Sequence, residues 1–144
     1  MSGIVTGLVT SMVTGVVGSE QEERNRKLVL DFYDTVIIKR QFDRWPEFLD
    51  PNYIQHKPNV ADGPEGVLEF MRSNYAKFPK HTVKVIRSFV DGDYVMLHVH
   101  VEMQPLNQDI AVMDIFRVAN GKLIEHWDVD QPVPTQMAHN NGMF

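Results

Sequence analysis

The sequence predicts an α+β fold on three observations. Helical spacing dominates the first half of the chain, four alternating strand runs fill the second, and one short extended segment separates the helices. From that order alone follow helices packed on an antiparallel sheet.

Met1 to Gly18 carries no charge and mixes Val, Thr, Gly, Ser, Met and Leu. No basic region precedes it as in a secretory signal, and Thr6, Thr10, Ser11 and Thr14 dilute it below what a membrane span needs. Residues 1–19 therefore read as an apolar arm, packed on the body or a partner subunit, or as a leader. Stable membrane insertion is not expected. Residues 20–134 read as a single domain and residues 135–144 as a C-terminal tail.

Ser19-Glu20-Gln21-Glu22 is a capping box, with Ser19 as N-cap and Glu22 reaching back. Leu28, Val29, Phe32, Tyr33, Val36 and Ile37 then recur at helical spacing to about Lys39. A short second helix is expected at Trp45 to Leu49, stopped by Asp50-Pro51. Asn52 to Lys57 reads as extended, with Tyr53 and Gln55 on one side and Ile54 and His56 on the other. Asp62 caps a third helix with Pro64 in its first turn, and Val67, Leu68, Met71, Tyr75 and Phe78 form its buried stripe.

Strands follow at His81 to Val90 and Tyr94 to Met103, turned by Asp91-Gly92. In the second, Val95, Leu97, Val99, Val101 and Met103 share one face, and Met96, His98 and His100 share the other. If the histidine face lined a pocket, the valine face would lie outside and call for a homodimer through the sheet.

The closing hairpin runs Asp109 to Val118, Ala119-Asn120-Gly121, then Lys122 to Val129. A two-residue Asn-Gly turn sets Asp114 opposite Trp127. A three-residue loop sets Asp114 opposite His126 and Val112 opposite Asp128, and places Glu125 diagonal to Arg117. The favourable Glu125–Arg117 diagonal predicts the three-residue loop. It gathers Val112, Asp114, Phe116, Val118, Ile124, His126 and Asp128 on one face, two carboxylates and an imidazole in an apolar setting.

Composition narrows the function classes. The net charge of −5 and the lack of a Lys/Arg run argue against nucleic acid as partner. With no cysteine, disulfides and thiol chemistry are excluded, and a cytoplasmic location is expected. Phosphate-binding loops, dinucleotide fingerprints, serine-nucleophile elbows and zincin motifs are absent.

Met113-Asp114-Ile115-Phe116-Arg117-Val118, Asn120-Gly121-Lys122 and Glu125-His126-Trp127-Asp128 resemble the last two strands of SnoaL-like proteins. That family contains polyketide cyclases within the nuclear transport factor 2-like superfamily. Asp50-Pro51-Asn52-Tyr53-Ile54-Gln55-His56 and Gly63-Pro64-Glu65-Gly66 resemble its earlier segments, and the match runs from about Arg24 to Pro132. The resemblance implies a cone, a strongly curved antiparallel sheet wrapped round the N-terminal helices, with a pocket at its open end and no cofactor. It implies Asp128 as general acid/base and a pocket position for His56. Asp114 departs from the better-known members, which are often not acidic there.

Asp128 thus reads as an acid/base whose burial would disfavour its charge, or as an aspartate capping the tail. Asp114 and His126 either tune it or form a satisfied buried pair, and His56 is either a pocket residue or a rim histidine. Tyr33, Trp45, Tyr53, Met71, His98, His100, Val112, Phe116 and Ile124 are the expected lining. His98-Val99-His100 could offer two imidazoles to a metal, joined by His126 or Asp128 if that face turned inward, but no metal is expected. Two functions fit: a cofactor-independent enzyme acting on a small apolar carbonyl compound by aldol-type cyclisation or isomerisation, or a non-catalytic protein binding a small apolar ligand. Epoxide hydrolysis is a sub-case that needs an arginine between two carboxylates, and Arg117 falls on the wrong face for it.

Overall fold

The computed structural model describes residues 19–144; the expected arm, apart from Ser19, lies outside the described residues. Helix α1 (Glu20–Phe32) starts at the capping box: the Glu22 amide donates to Ser19 Oγ at 3.2 Å, and Glu22 Oε2 accepts the Ser19 amide at 2.7 Å. Glu22 Oε1 also accepts the Gly92 amide at 3.0 Å. The bond from Gly92, then that from Ser19, holds the Glu22 carboxyl below its ordinary range. Asn25 Nδ2 donates to the Gly92 carbonyl at 3.0 Å, so one strand turn clamps the start of α1.

The helix continues through Tyr33–Ile38 with a wider winding, in which the Lys39 amide reaches back five residues to the Asp34 carbonyl at 2.9 Å. A short 3₁₀ turn spans Phe42–Glu47, earlier than the expected Trp45 to Leu49, because Leu49 already belongs to a strand. That strand, β1 (Leu49–Gln55), contains Pro51, which an edge strand tolerates.

Helix α2 (Gly63–Lys77) is capped by Asp62 Oδ1, which accepts the Gly63 amide at 2.9 Å and the Gln55 amide at 2.8 Å. Gly66 is obligatory for packing: a Cβ there would lie 1.9 Å from the Ala61 carbonyl oxygen.

β2 (Thr82–Asp91), β3 (Tyr94–Met103), β4 (Gln108–Ala119) and β5 (Lys122–Pro132) complete an open sheet of order β1-β5-β4-β3-β2. The α+β cone is as expected, with one amendment: the sheet is mixed, because β1 pairs parallel to β5 (Gln55 beside His126). The hairpin register also differs. Ala119 pairs with Lys122 across a two-residue turn in which Asn120 and Gly121 both have positive φ, 51° and 70°. A bulge at Ile124 then shifts the ladder, so Val118 faces Leu123, Arg117 faces Glu125, Phe116 faces His126 and Asp114 faces Asp128. Relative to the three-residue expectation β5 slides by two residues. Two is the pleat period, so the carboxylates and imidazole keep their common face.

Val95, Leu97 and Val99 of β3 are buried against Val29, Phe32 and Val36 of the first helix, with Leu68, Phe116, Val118 and Leu123 closing the core. The valine face therefore lines the concavity and the histidine face lies outside. Turning Val95, Leu97, Val99, Val101 and Met103 inward is far more favourable than turning in Met96, His98 and His100. This removes the premise on which the dimer was expected.

Candidate active site

A cavity of about 310 Å³ opens between the concave sheet, the first helix and α2. One wall is apolar, built from Val83, Val99, Val101, Met103, Ile110 and Val112 of the sheet and Phe70 and Met71 of α2. The other is polar and descends from strand alternation. Tyr53, Gln55 and Lys57 project inward from β1 and its extension, Asp114 from β4, and His126, Asp128 and Asp130 from β5.

These groups form two linked clusters. In the deeper one, Tyr33 Oη donates to Asp114 Oδ2, and Asp114 Oδ1 lies 2.7 Å from His126 Nε2. His126 Nδ1 lies 2.8 Å from Gln55 Oε1, which also accepts the Lys57 amide at 2.9 Å, and Gln55 Nε2 donates to Tyr53 Oη at 3.3 Å. Asp114 and His126 are 4% and 7% exposed. Burial, then the Asp114 charge, pushes the Tyr33 phenol well above its ordinary range, and the same causes raise Tyr53. Both phenols are therefore fixed as donors at any physiological pH.

In the outer cluster Lys57 Nζ donates to Asp128 Oδ2 at 2.5 Å and to Asp130 Oδ2 at 2.6 Å. Burial on its own would lower the Lys57 ammonium, but its bonds to the two carboxylates outweigh that and raise it. Among the described residues no protein donor holds Asp128 Oδ1, so that oxygen is free for a ligand. Asp128 is thus salt-bridged to Lys57 at the cavity wall, a partner that the sequence-based face of Asp114, His126, Asp128 and apolar neighbours did not include. Donor atoms of Asp114, His126 and Asp128 lie within 4.8 Å of one another, as do those of His100, Glu102 and Asp109 outside. Each of these side chains already has a protein partner through at least one atom.

A profile of the SnoaL-like polyketide cyclase family matches residues 27–136. The chain belongs to that family. It shares its fold with cyclase-family structures from several bacteria. One from Jannaschia sp. CCS1, provisionally assigned as a SnoaL-like polyketide cyclase, is 24% identical with a TM-score of 0.67 over 81% of this chain and 91% of that one. A protein of Kribbella flavida DSM 17836, provisionally assigned as a ketosteroid isomerase, is 17% identical with a TM-score of 0.66 over 85% and 86%. IdmH of Streptomyces antibioticus, provisionally assigned as a polyketide cyclase, is 17% identical with a TM-score of 0.63 over 74% and 91%. No curated protein matches the chain.

Within this cyclase-family cavity, Asp114, His126, Asp128, Tyr33, Tyr53, Met71, Val112 and Phe116 all reach the lining. Five expected residues do not. His56 follows the outward set of β1, stacks on Trp127 with ring centroids 4.8 Å apart, and bonds Glu125 Oε1 at 2.8 Å. His98 and His100 stand on the convex face against the Phe144 ring, so they cannot share an ion with His126 or Asp128. Trp45 packs on the core from the 3₁₀ turn, and Ile124 is the bulge residue whose inward place Leu123 takes. Arg117 pairs with Glu125 on the convex face (Nε–Oε2 2.7 Å), so it lies between no pair of cavity carboxylates.

Gln55, Lys57 and Asp130 were absent from the expected site. Their signal was present in part: Tyr53, Gln55 and Lys57 continue one period-two face, and Asp128 and Asp130 continue another. His81, on the far side, lines the cavity too, with burial lowering its imidazole below its ordinary value.

Proposed function

We propose that this protein is a cofactor-independent enzyme acting on a small, largely apolar carbonyl compound, by aldol-type cyclisation or isomerisation. The observation that carries this reading is a carboxylate oxygen, Asp128 Oδ1, open to a mostly apolar cavity beside a buried Asp114–His126 pair. Asp128 removes a proton from the carbon next to a substrate carbonyl. The Asp114–His126 pair supplies a proton toward the developing enolate oxygen, whose charge a dry site would otherwise leave unpaired. In a cyclisation the enolate carbon attacks a second carbonyl of the same molecule, forming a C–C bond as that carbonyl's π bond opens; the new alkoxide takes the proton held by Asp128, and the proton lent to the enolate oxygen returns to the Asp114–His126 pair. In an isomerisation Asp128 returns its proton to another carbon. Lys57 holds the second oxygen of Asp128 and orients the first.

The reading includes a cytoplasmic location, which the absence of cysteine suits. Among the described residues no helix is long and apolar enough to cross a membrane. A homodimer through the sheet is also part of it, now resting on the convex side, where Phe89, Tyr94, Met113 and Val129 are exposed. Light scattering at micromolar concentration checks the dimer, and a monomer refutes it.

The test of function is Asp128→Asn, which keeps shape while removing the base. Turnover of a ligand identified by pull-down and mass spectrometry falls about 10²–10⁴-fold with affinity little changed. A ligand that binds with equal affinity to both proteins and is never converted by either supports the binding-protein alternative.

A further inference from the structure

We infer that Gln55 is a positioning residue that fixes His126 in its Nδ1–H form, so that the Asp114–His126 pair is neutral and holds one shared proton. The inference deepens the acid–base reading of the site and takes its chemical meaning from it, although the tautomer itself is readable without turnover.

The deduction starts at a backbone group. The Lys57 amide is a donor and nothing else, so the Gln55 atom it meets at 2.9 Å is the carbonyl oxygen Oε1. That assignment agrees with Gln55 Nε2 facing Tyr53 Oη at 3.3 Å. An amide oxygen only accepts, so His126 Nδ1, 2.8 Å from it, carries a hydrogen.

The other end of the ring then has two states. Nε2 and Asp114 Oδ1 lie 2.7 Å apart, a separation that needs a proton between them. The proton sits on Nε2, giving imidazolium and carboxylate, or on Oδ1, giving neutral imidazole and carboxylic acid. Tyr33 donates to Oδ2 and so leaves Oδ1 as the oxygen that can carry it. Both states have zero net charge.

Without the Gln55 acceptor the ring can instead hold its only hydrogen on Nε2 and point it at an Asp114 carboxylate. The pair would then carry a negative charge directly across the ladder from Asp128, an arrangement that disfavours a second carboxylate. Gln55 thereby reserves the local negative charge for Asp128 and keeps a donatable proton beside it. Its placement depends on the parallel pairing of β1, where Gln55 sits beside His126.

The experiment is ¹⁵N–¹H correlation NMR of the imidazole nitrogens in full-length protein labelled at histidine, with His126 assigned by loss of its signals in His126→Gln. At neutral pH the wild type is expected to show His126 Nδ1 in the range of a protonated ring nitrogen. In Gln55→Leu that resonance moves toward the unprotonated range, and in Gln55→Glu, which restores an acceptor, it returns. An unprotonated Nδ1 in the wild type overturns the inference, and that spectrum decides the matter even where a variant fails to fold. An Nδ1 that stays protonated in Gln55→Leu removes Gln55 as its cause. Failure of the acid–base reading shows separately, as activity that survives Asp128→Asn with the tautomer intact.

Discussion

Two histidine–carboxylate pairs lie on opposite faces of the β1–β5–β4 region. His126 meets Asp114 at 2.7 Å in the concavity, and His56 meets Glu125 at 2.8 Å on the convex side. The separations are nearly equal and the surroundings are not. The inner side chains are 9% and 5% exposed, the outer ones 41% and 14%. Outside, Arg117 shares Glu125 with His56 and water screens all three, so the cluster is an ordinary surface ion pair. Inside, both His126 nitrogens and both Asp114 oxygens have protein partners and little contact with solvent, so those partners govern where the protons sit. Burial and partner count separate a site suited to chemistry from one that only decorates a sheet.

The largest expected contrast is between Asp114→Ala and Glu125→Ala. The first leaves His126 Nε2 and the Tyr33 hydroxyl buried without partners and should cost about 3–5 kcal/mol. The second leaves solvated groups and should cost no more than about 1 kcal/mol. Urea denaturation of both variants checks this, and equal losses would erase the distinction between the faces.

Tyr33→Phe should cost about 1–3 kcal/mol, because it removes only one donor to Asp114. Its signature is a lowered melting temperature with the fold retained by circular dichroism.

The smallest effect concerns pH on the convex face. The bond from His56, then that from Arg117, holds the Glu125 carboxyl below its ordinary value of 4.5. A lowered folded-state value means stabilisation that is present above the unfolded value and lost as pH falls through the folded one. Glu125→Gln lacks that stabilisation, so it should lower stability at neutral pH slightly, by no more than about 1 kcal/mol, and flatten the acid limb below about pH 4.5 until the two proteins converge. Melting temperatures across that range measure it.

How far the sequence reveals this site follows from the range of the interactions. The capping box, the Asp62 cap and the alternation of β3 and β4 are local, and they are legible. The shared face of Asp114, His126 and Asp128 is also legible, although the bulge at Ile124 that sets their pairing is not. No local feature distinguishes a three-residue loop from a two-residue turn followed by a bulge, and both preserve the parity of the face. Lys57 and Gln55 were harder, because their roles depend on β1 reaching across about seventy residues to pair with β5. The inward choice on β3 was open for the same reason: alternation shows two faces, and only packing against the first helix selects one.

The most direct test of the central claim, acid–base chemistry at the concave face, is α-proton exchange in D₂O. A panel of small cyclic ketones and 1,3-diketones is incubated with wild type, Asp128→Asn and Glu125→Gln, and deuterium incorporation is followed by NMR. The account predicts exchange above the buffer rate with wild type and Glu125→Gln, and a loss of about 10²–10⁴-fold with Asp128→Asn. Exchange that Asp128→Asn catalyses as fast as wild type would contradict it.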